Sequence, residues 1–286
     1  FEAKQLLELY NMLGLGNLVT KHVFDGGYVD PSSLGSLALW FKFNTGIFSD
    51  QAATSSTVYD PPRSSDAGNL THNDRISQWS DQSGNNNHAL QDASHDKPRW
   101  DTSGGGNDTG AVKMASNAKF MDLTSGITLT GDFTIQVRFR AGSFGTPFSF
   151  FGDSATDLFR AHDATEFRSF IGGSGVHEWD ELSATALPAG DNTKRQIVTF
   201  TRSSGALSVH VNGGTAAGGW NNEQDDVDWD AAESHSDTDT FTISNIGSAA
   251  DDSENMFGWI FDLLIYDGVA LTEAQRKQNY DYLNSQ

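Results

Sequence analysis

The chain contains no cysteine, so its 286 residues can form no disulfide and offer no thiolate as a nucleophile or metal ligand. Cations are scarce, because 18 Lys and Arg stand against 38 Asp and Glu, which gives a formal charge of −20. A field of that sign repels phosphate backbones and anionic headgroups. We therefore expect no nucleic-acid partner, although an ordinary solvated acidic surface accounts for the same composition.

Long apolar runs are also missing. None approaches the ~18 residues of a membrane-spanning helix, and the most apolar stretch, GWIFDLLIYD, is interrupted by Asp262. The opening FEAKQLLELYNMLGLG lacks the basic and continuous apolar regions of a secretory signal. The sequence therefore predicts no membrane insertion.

Motifs for nucleotide, zinc and serine-hydrolase chemistry are absent. The eight His show no HExxH spacing, and the chain has neither a P-loop nor a GxGxxG turn. GGSGV, over 172–176, departs from the GxSxG elbow at Val176. The sequence therefore predicts no nucleotide or redox cofactor.

Glycine is plentiful, at 29 residues, and it punctuates a series of strand patterns. These patterns are SLALWFKF, DFTIQVRFRA, RQIVTFTR, ALSVHVNGG, TFTISNIG and MFGWIFDLLIYD. A turn at Ser203–Gly205 joins the third and the fourth. Repeated strands with Gly-rich turns and little helix predict an antiparallel β-sandwich, in which one face of each sheet is packed and the other is more polar.

Three of the strand patterns predict which side chains share a face. In the first strand one face carries Leu37, Leu39, Phe41 and Phe43. In the second, the inward residues are Phe133, Ile135, Val137 and Phe139, and the outward ones are Thr134, Gln136, Arg138 and Arg140. In the last, one face carries Phe257, Trp259, Phe261, Leu263 and Ile265.

Helical spacing occurs near the two ends of the sequence. Leu6, Leu9, Tyr10 and Leu13 form an i, i+3, i+4, i+7 stripe within residues 1–16. A helix this short is marginal in water, so its stripe must dock on its own domain or on a partner, and we name these four as candidate anchoring residues. Near the other end, Thr272 and Gln275 have the capping-box spacing that opens a short C-terminal helix.

The stretch DRISQWSDQSGNNNHALQ has eight consecutive polar or glycine residues, over 80–87, between Trp79 and Ala89–Leu90. Asp81, Gly84 and the asparagines at 85–87 are residue types that accept left-handed backbone and cap their own turns. A calcium site would need oxygen ligands that converge from several segments. The sequence therefore favours a turn over a cation or sugar site.

That stretch, the following KPRW, the strand DFTIQVRFRA and the ending FGWIFDLLIYDGVALTEAQRKQNYDYL resemble laminin-G-like domains of the concanavalin A-like lectin/glucanase superfamily. The turn W-x-D-x-S-G-N-x-N-H-A is similar to turns in marine phage structural proteins and bacterial surface proteins. The resemblance implies an all-β, antiparallel jelly-roll sandwich over 35–286. Residues 1–34 would form an N-terminal helical anchor and linker.

Glycosidases of this superfamily carry E-x-D-x-(x)-E on one strand, and hydrolysis needs two carboxyls. HEWDELS comes closest, with Glu178 and Asp180 on one face. Leu182 is the next residue on that face, and Glu181 points the other way. The second acid is missing unless the strand bulges, so we expect an exposed loop or sheet edge and no enzyme.

Acidic alternation occurs in DDVDWDAAESHSD. Asp226, Asp228 and Asp230 are the candidate calcium ligands, but Ala231 stands where an EF-hand loop needs glycine. A surface strand with its charges outward explains the stretch equally well.

Tryptophans in polar, loop-like contexts are the candidates for sugar binding, because an indole ring stacks on the apolar face of a sugar. The candidate ligand-binding residues are His177, Trp179, Trp220 and Trp229. The alternative is that each tryptophan plugs an end of the sandwich.

The resemblance and the N-terminal stripe together predict a non-enzymatic virion structural or display protein, as decoration, fibre or tail-associated module, whose lectin-like domain binds host glycans. Other virion proteins would bind residues 1–16, and the resemblance alone implies a homo-oligomer. The alternative is a bacterial surface or secreted carbohydrate-binding adhesin, followed by a glucanase-like hydrolase. The expected location is the virion surface or, for the adhesin, the cell surface or exterior.

Overall fold

The computed structural model describes residues 28–49, 70, 72–93, 96–102, 110–115, 119–142, 147–163, 166–173, 175–180, 195–212, 229–230, 235–248 and 255–286. In chain order its strands are β1 (Leu37–Phe41), β2 (Ile47–Phe48), β3 (Gln78–Trp79), β4 (Ala89–Leu90), β5 (Arg99–Asp101), β6 (Ala111–Ala115), β7 (Met121–Leu129), β8 (Phe133–Ala141), β9 (Phe148–Ser154), β10 (Asp157–Ala161), β11 (Glu166–Phe170), β12 (Val176–Asp180), β13 (Gln196–Ser203), β14 (Ala206–Val211), β15 (Trp229–Asp230), β16 (His235–Ser236), β17 (Phe241–Ile246) and β18 (Phe257–Asp267). A 3-10 turn spans Pro31–Leu34, and helix α1 spans Glu273–Asn284.

The strands form two antiparallel sheets. Sheet A has the order β15-β14-β13-β8-β18-β6-β5, with β1 also paired to β18 and β16 also paired to β14. Sheet B has the order β12-β11-β10-β9-β17-β7-β4-β3-β2. The all-β class, the antiparallel sandwich and the C-terminal helix that the sequence predicts are confirmed. The N-terminal stripe lies outside the described residues, and the division at residue 34 stays a prediction.

The two sheets enclose an aromatic core. The four inward residues predicted for β8 all lie in it. Phe200 of β13 stacks on Phe159 of β10 with ring centroids 4.7 Å apart, which joins the sheets near their middle. The β13–β14 hairpin forms as predicted, and both residues of its turn, Ser204 and Gly205, have positive φ (51° and 84°), as a two-residue turn of this kind requires.

The single apolar face predicted for β18 is wrong. The register shifts between Ile260 and Asp262, so the strand bulges and Asp262 lies opposite Arg138 of β8. After the bulge, Leu263 and Ile265 face the core, whereas Trp259 and Phe261 lie in a separate apolar cluster with Phe43. Because the bulge adds one residue, the alternation before it and after it cannot share one face.

The single face predicted for the first strand is also only half right. Leu39 and Phe41 lie in the core, but the register shifts between Leu37 and Leu39. Leu37 therefore packs against the cluster under α1, and Phe43 lies beyond β1 beside Phe261.

The four outward residues predicted for β8 do point away from the core, but they are buried. Helix α1, opened by the predicted Thr272–Gln275 capping box, covers this outer face of sheet A. Asn279 of α1 donates its Nδ2–H to Gln136 Oε1 at 2.6 Å. Arg138 donates from Nη1 to the Leu283 carbonyl at the end of the helix. The predicted polar side of the sheet is thus a second buried interface.

The turn predicted at 80–87 is confirmed, and we call residues 81–88 the clasp. Gly84 and Asn86 adopt positive φ (94° and 60°). Asp81 Oδ1 accepts the N–H groups of Trp40, at 3.0 Å, and Ser83, at 2.8 Å. Its Oδ2 accepts the N–H of Asn87 at 3.1 Å. The clasp thereby ties β1 of sheet A to the β3–β4 hairpin of sheet B.

Candidate functional site

Trp179, a predicted ligand-binding residue, lies in the core rather than at the surface. Its side chain is fully buried, and its ring meets Phe200 at 5.7 Å. The polar residues around Trp179 in HEWDEL suggested that the stretch is exposed. Successive residues of β12 face opposite sides of the sheet, however, and Trp179 is on the inner side. The prediction that Trp179 is exposed is wrong.

His177, another predicted ligand-binding residue, lies at one edge of the sandwich. Its Nε2 is 2.8 Å from Asp237 Oδ2, and its ring centroid is 5.4 Å from that of His235. His235 of β16 in turn bonds through Nε2 to the Glu178 carbonyl at 2.6 Å. These contacts link β16, an outer strand of sheet A, to β12 of sheet B. His177 therefore helps to hold the two sheets together at this edge.

The remaining predicted site residues are placed in part or not at all. Trp229 and Asp230 form β15, and their backbones pair with Val211 and His210 of β14. Trp220, Asp226 and Asp228 lie outside the described residues. Within the described ranges, no three His, Asp or Glu side chains are grouped so that they could hold a metal ion.

On the face of β12 opposite Trp179, residues of β10, β11 and β12 pair to form two rows of three. We call the six residues of these rows the β10–β12 face. The apolar row is Leu158, Phe170 and Val176. The charged row is Arg160, Arg168 and Glu178. Residues paired in this way project from the same face of a sheet, so the two rows lie side by side.

In the charged row, one guanidinium holds two carboxylates. Arg168 Nη2 is 3.2 Å from Glu178 Oε1, and Arg168 Nε donates to Glu166 Oε1. The Arg168 side chain is 23% exposed and that of Glu178 is 41% exposed. Arg168 therefore occupies the gap between two carboxylates at a position that solvent reaches.

In the apolar row, exposure increases toward the sheet edge. Leu158 is buried, Phe170 is half-buried, and Val176 is 42% exposed. The Arg160 guanidinium lies 5.1 Å from the centroid of the Phe170 ring, which fixes the ring against the charged row. The apolar row thus lies directly beside the guanidinium and carboxylate groups of the charged row.

An aspartate with a shifted pKa anchors one end of the apolar row. Burial raises the pKa of Asp157, and neighbouring Asp153 raises it further. The N–H of Gly172, which donates to Asp157 Oδ1 at 2.7 Å, acts in the opposite direction. Asp157 thereby holds the turn that follows Phe170.

Glu166 is the residue that the sequence reasoning missed. The prediction considered a second acid only along β12, whereas the structure supplies it from the neighbouring strand through Arg168. EFRSF alternates in the same way as VHEWD, so a search for paired strands would have placed both glutamates on one surface.

No helix within the described part of the chain has the length and apolarity to cross a membrane. No protein-family model matches the chain. No curated protein matches it either.

Several solved structures are similar to part of the chain. A GH54 α-L-arabinofuranosidase soaked with a cyclic sulfate inhibitor is 12% identical, with a TM-score of 0.47 over 73% of this chain and 50% of that chain. Domain 4 of a GH43 extracellular arabinanase from Geobacillus stearothermophilus, in complex with arabinotriose, is 17% identical, with a TM-score of 0.45 over 68% and 89%. The binding domain of botulinum neurotoxin DC, in complex with SialylT, is 11% identical, with a TM-score of 0.42 over 89% and 52%.

The chain thus spans about half the length of the arabinofuranosidase that it matches. At these identities and scores, the similarities assign neither a family nor a function to the chain.

Proposed function

We propose that the chain is a non-enzymatic glycan-binding module and that the β10–β12 face holds the sugar. The observation that carries this proposal is the apolar row of Phe170 and Val176 beside the charged row of Arg168 and Glu178. A sugar ring has one apolar C–H face and a rim of hydroxyls, so it fits a surface with the same division.

The chemistry of the two rows suits that division. The Phe170 ring and Val176 offer apolar contact for the C–H face. Arg168 donates from a planar fork, whereas Glu178 accepts through two oxygens, so adjacent hydroxyls can both donate and accept. Because Arg168 is already held by Glu166 and Glu178, little side-chain freedom would be lost on binding.

The absence of catalysis is part of the proposal. Hydrolysis requires two carboxyls that flank the scissile bond, about 5–5.5 Å apart for retention or about 6.5–9.5 Å apart for inversion. Here Arg168 lies between Glu166 and Glu178, where the sugar would have to enter. Both acids are thus engaged with a cation rather than directed at a cleft.

The test is a glycan array with the wild type and Phe170→Ala. We expect binding without release of reducing ends, and a loss of about 1–3 kcal/mol of binding free energy in the variant, as for other stacked aromatic contacts. Phe257→Ala is the matched control, because Phe257 is a 43% exposed phenylalanine on sheet A. Equal losses in the two variants, or cleavage that Glu178→Gln abolishes, would contradict the proposal.

We also propose that the module is displayed on a phage virion as a decoration, fibre or tail-associated protein. Two sequence features support this: the phage-like turn at 79–89 and the apolar stripe within residues 1–16. Deletion of residues 1–16 should leave glycan binding intact and remove the protein from purified particles. Retention of the truncated protein on the particles would count against this anchor.

A further inference from the structure

Basic side chains line up across the outer face of sheet A, near β5 and β6. Arg75 forms an isolated bridge with Arg99, Arg99 pairs with Lys113, and Lys113 pairs with Trp259 of β18. Residues in such register point to the same face, and neighbouring strands lie about 4.8 Å apart. Arg75, Arg99 and Lys113 therefore lie side by side on one face of neighbouring strands, and we call these three residues the cation row.

The cation row points away from the core. Trp100 and Val112, which alternate with Arg99 and Lys113 along their strands, both lie in the core. Arg75 is exposed, Arg99 is half-buried, and the Lys113 side chain is 29% exposed. Solvent and a ligand can thus reach the row.

The positive charge of the row also acts on the pKa of Lys119. Burial lowers the pKa of Lys119, and Arg99 and Arg75 lower it further, while Asp96 opposes them. The geometry of the row itself is that of three cations on one face of a chain whose net charge is −20.

Internal contacts organise the row. Asp101 is 3.7 Å from Lys113 Nζ and accepts a hydrogen bond from Trp259 Nε1 at 2.9 Å. Lys113 also lies 5.2 Å from the Trp259 ring, and Arg99 donates from Nη1 to the Asn73 carbonyl at 3.0 Å. Arg75 forms no ion pair with any residue that the structure describes.

Like charges that face each other across paired strands destabilise a sheet. Asp101 compensates Lys113, so an anionic ligand that crosses the row would relieve the remaining repulsion between Arg75 and Arg99. The regular spacing suits a polymer with anionic groups at intervals, lying across β5 and β6 at right angles to the strands.

We infer that the cation row binds an acidic polysaccharide through its carboxylate or sulfate groups. A nucleic acid fits less well, because a duplex carries a charge about every 1.7 Å, and a chain of net charge −20 repels such a dense polyanion more strongly than a sparsely charged one. An acidic polysaccharide has at most a few charges per sugar and can present only a short anionic stretch to the row. This site is separate from the β10–β12 face and does not depend on it.

The test measures binding of the full chain to polygalacturonate, dextran sulfate, neutral dextran and duplex DNA, at low and at high salt. We expect salt-sensitive binding to at least one of the first two and none to neutral dextran. The double variant Arg75→Glu, Arg99→Glu should lower the affinity about tenfold, since each reversal replaces an attraction by a repulsion. The preferred polymer identifies whether carboxylate or sulfate is recognised.

The control is Lys277→Glu on α1, where Lys277 pairs with Asp281, and it matches the single variant Arg75→Glu in its charge change. It should change the affinity less than about twofold. If the double variant fails to fold, the exposed Arg75→Glu alone carries the test. Failure to bind either polyanion, equal or tighter binding of DNA, or undiminished binding by the row variants would overturn the inference. Array binding through Phe170 would be unaffected in every case.

Discussion

The two sheets carry the same pair of charged groups on their outer faces, in opposite surroundings. On sheet A, Arg138 and Asp262 form an ion pair of 2.7 Å in which both side chains are wholly buried. On sheet B, Arg168 and Glu178 form one of 3.2 Å in which the side chains are 23% and 41% exposed. The difference arises from what lies above each sheet.

On sheet A, α1 and the aromatic rings of Phe43 and Phe261 enclose the arginine. Its guanidinium lies 4.8 Å from the first ring and 5.5 Å from the second, and Asp262 also accepts the N–H of Phe43 at 2.8 Å. On sheet B, the Phe170–Val176 row remains partly open. The comparison teaches that a charged row beneath a helix serves the fold, whereas a similar row left open is available to a ligand.

The largest effect should come from breaking the buried pair. Arg138→Met leaves the Asp262 carboxylate in a fully buried site without its cation, and such a change destabilises proteins by about 3–5 kcal/mol. Arg168→Met is the matched variant on sheet B, and its exposed pair should contribute at most about 1 kcal/mol. Urea unfolding measures both, and equal losses would refute the contrast between the faces.

A smaller effect should follow from weakening the clasp, which connects the two sheets. In Asp81→Asn, the new amide can no longer accept the Asn87 N–H, so we expect a loss of about 1–3 kcal/mol of unfolding free energy. Asp92→Asn, an exposed carboxylate just outside the clasp, is the control and should lie within about 0.5 kcal/mol of the wild type. If both variants unfold at the same urea concentration as the wild type, the clasp does not hold the sheets together.

The smallest effect is a pH dependence at the clasp. Burial lowers the pKa of His88 from its ordinary value of 6.5, although Asp81 opposes the shift. The fold thus favours neutral His88, whose Nδ1 accepts the Asp81 N–H at 3.1 Å. This contribution is fully present above the unfolded value and is lost as the pH falls through the folded value.

His88→Gln should therefore flatten the decline of the melting temperature below pH 6.5 relative to the wild type. Wild-type and variant curves with the same slope would show that the clasp histidine does not titrate in this way.

Local sequence patterns predicted the uninterrupted strands, the turns and the helix cap correctly. The inward set of β8, the β13–β14 hairpin, the turn at 80–87 and the capping box of α1 are confirmed. Each of them depends on neighbours a few residues apart along the chain, and the sequence displays those neighbours directly.

Alternation failed where distant strands decide the outcome. The bulge before Asp262 places its carboxylate on the outer face beside Arg138, which lies more than a hundred residues earlier in the chain. The burial of Trp179 depends on contact with β13, and the role of Arg168 depends on the register between β11 and β12. Polarity along HEWDEL indicated a surface, but it could not indicate which of the two faces of the strand was open.

The most direct test of the difference between the faces is to map a bound glycan by NMR chemical-shift changes. With a glycan selected on the array, our account predicts that the amide shifts concentrate at Arg168, Phe170 and Val176. It predicts no comparable change over α1 or the outer face of β8. Shifts that centre on α1 or β8, with β11 and β12 unperturbed, would contradict it.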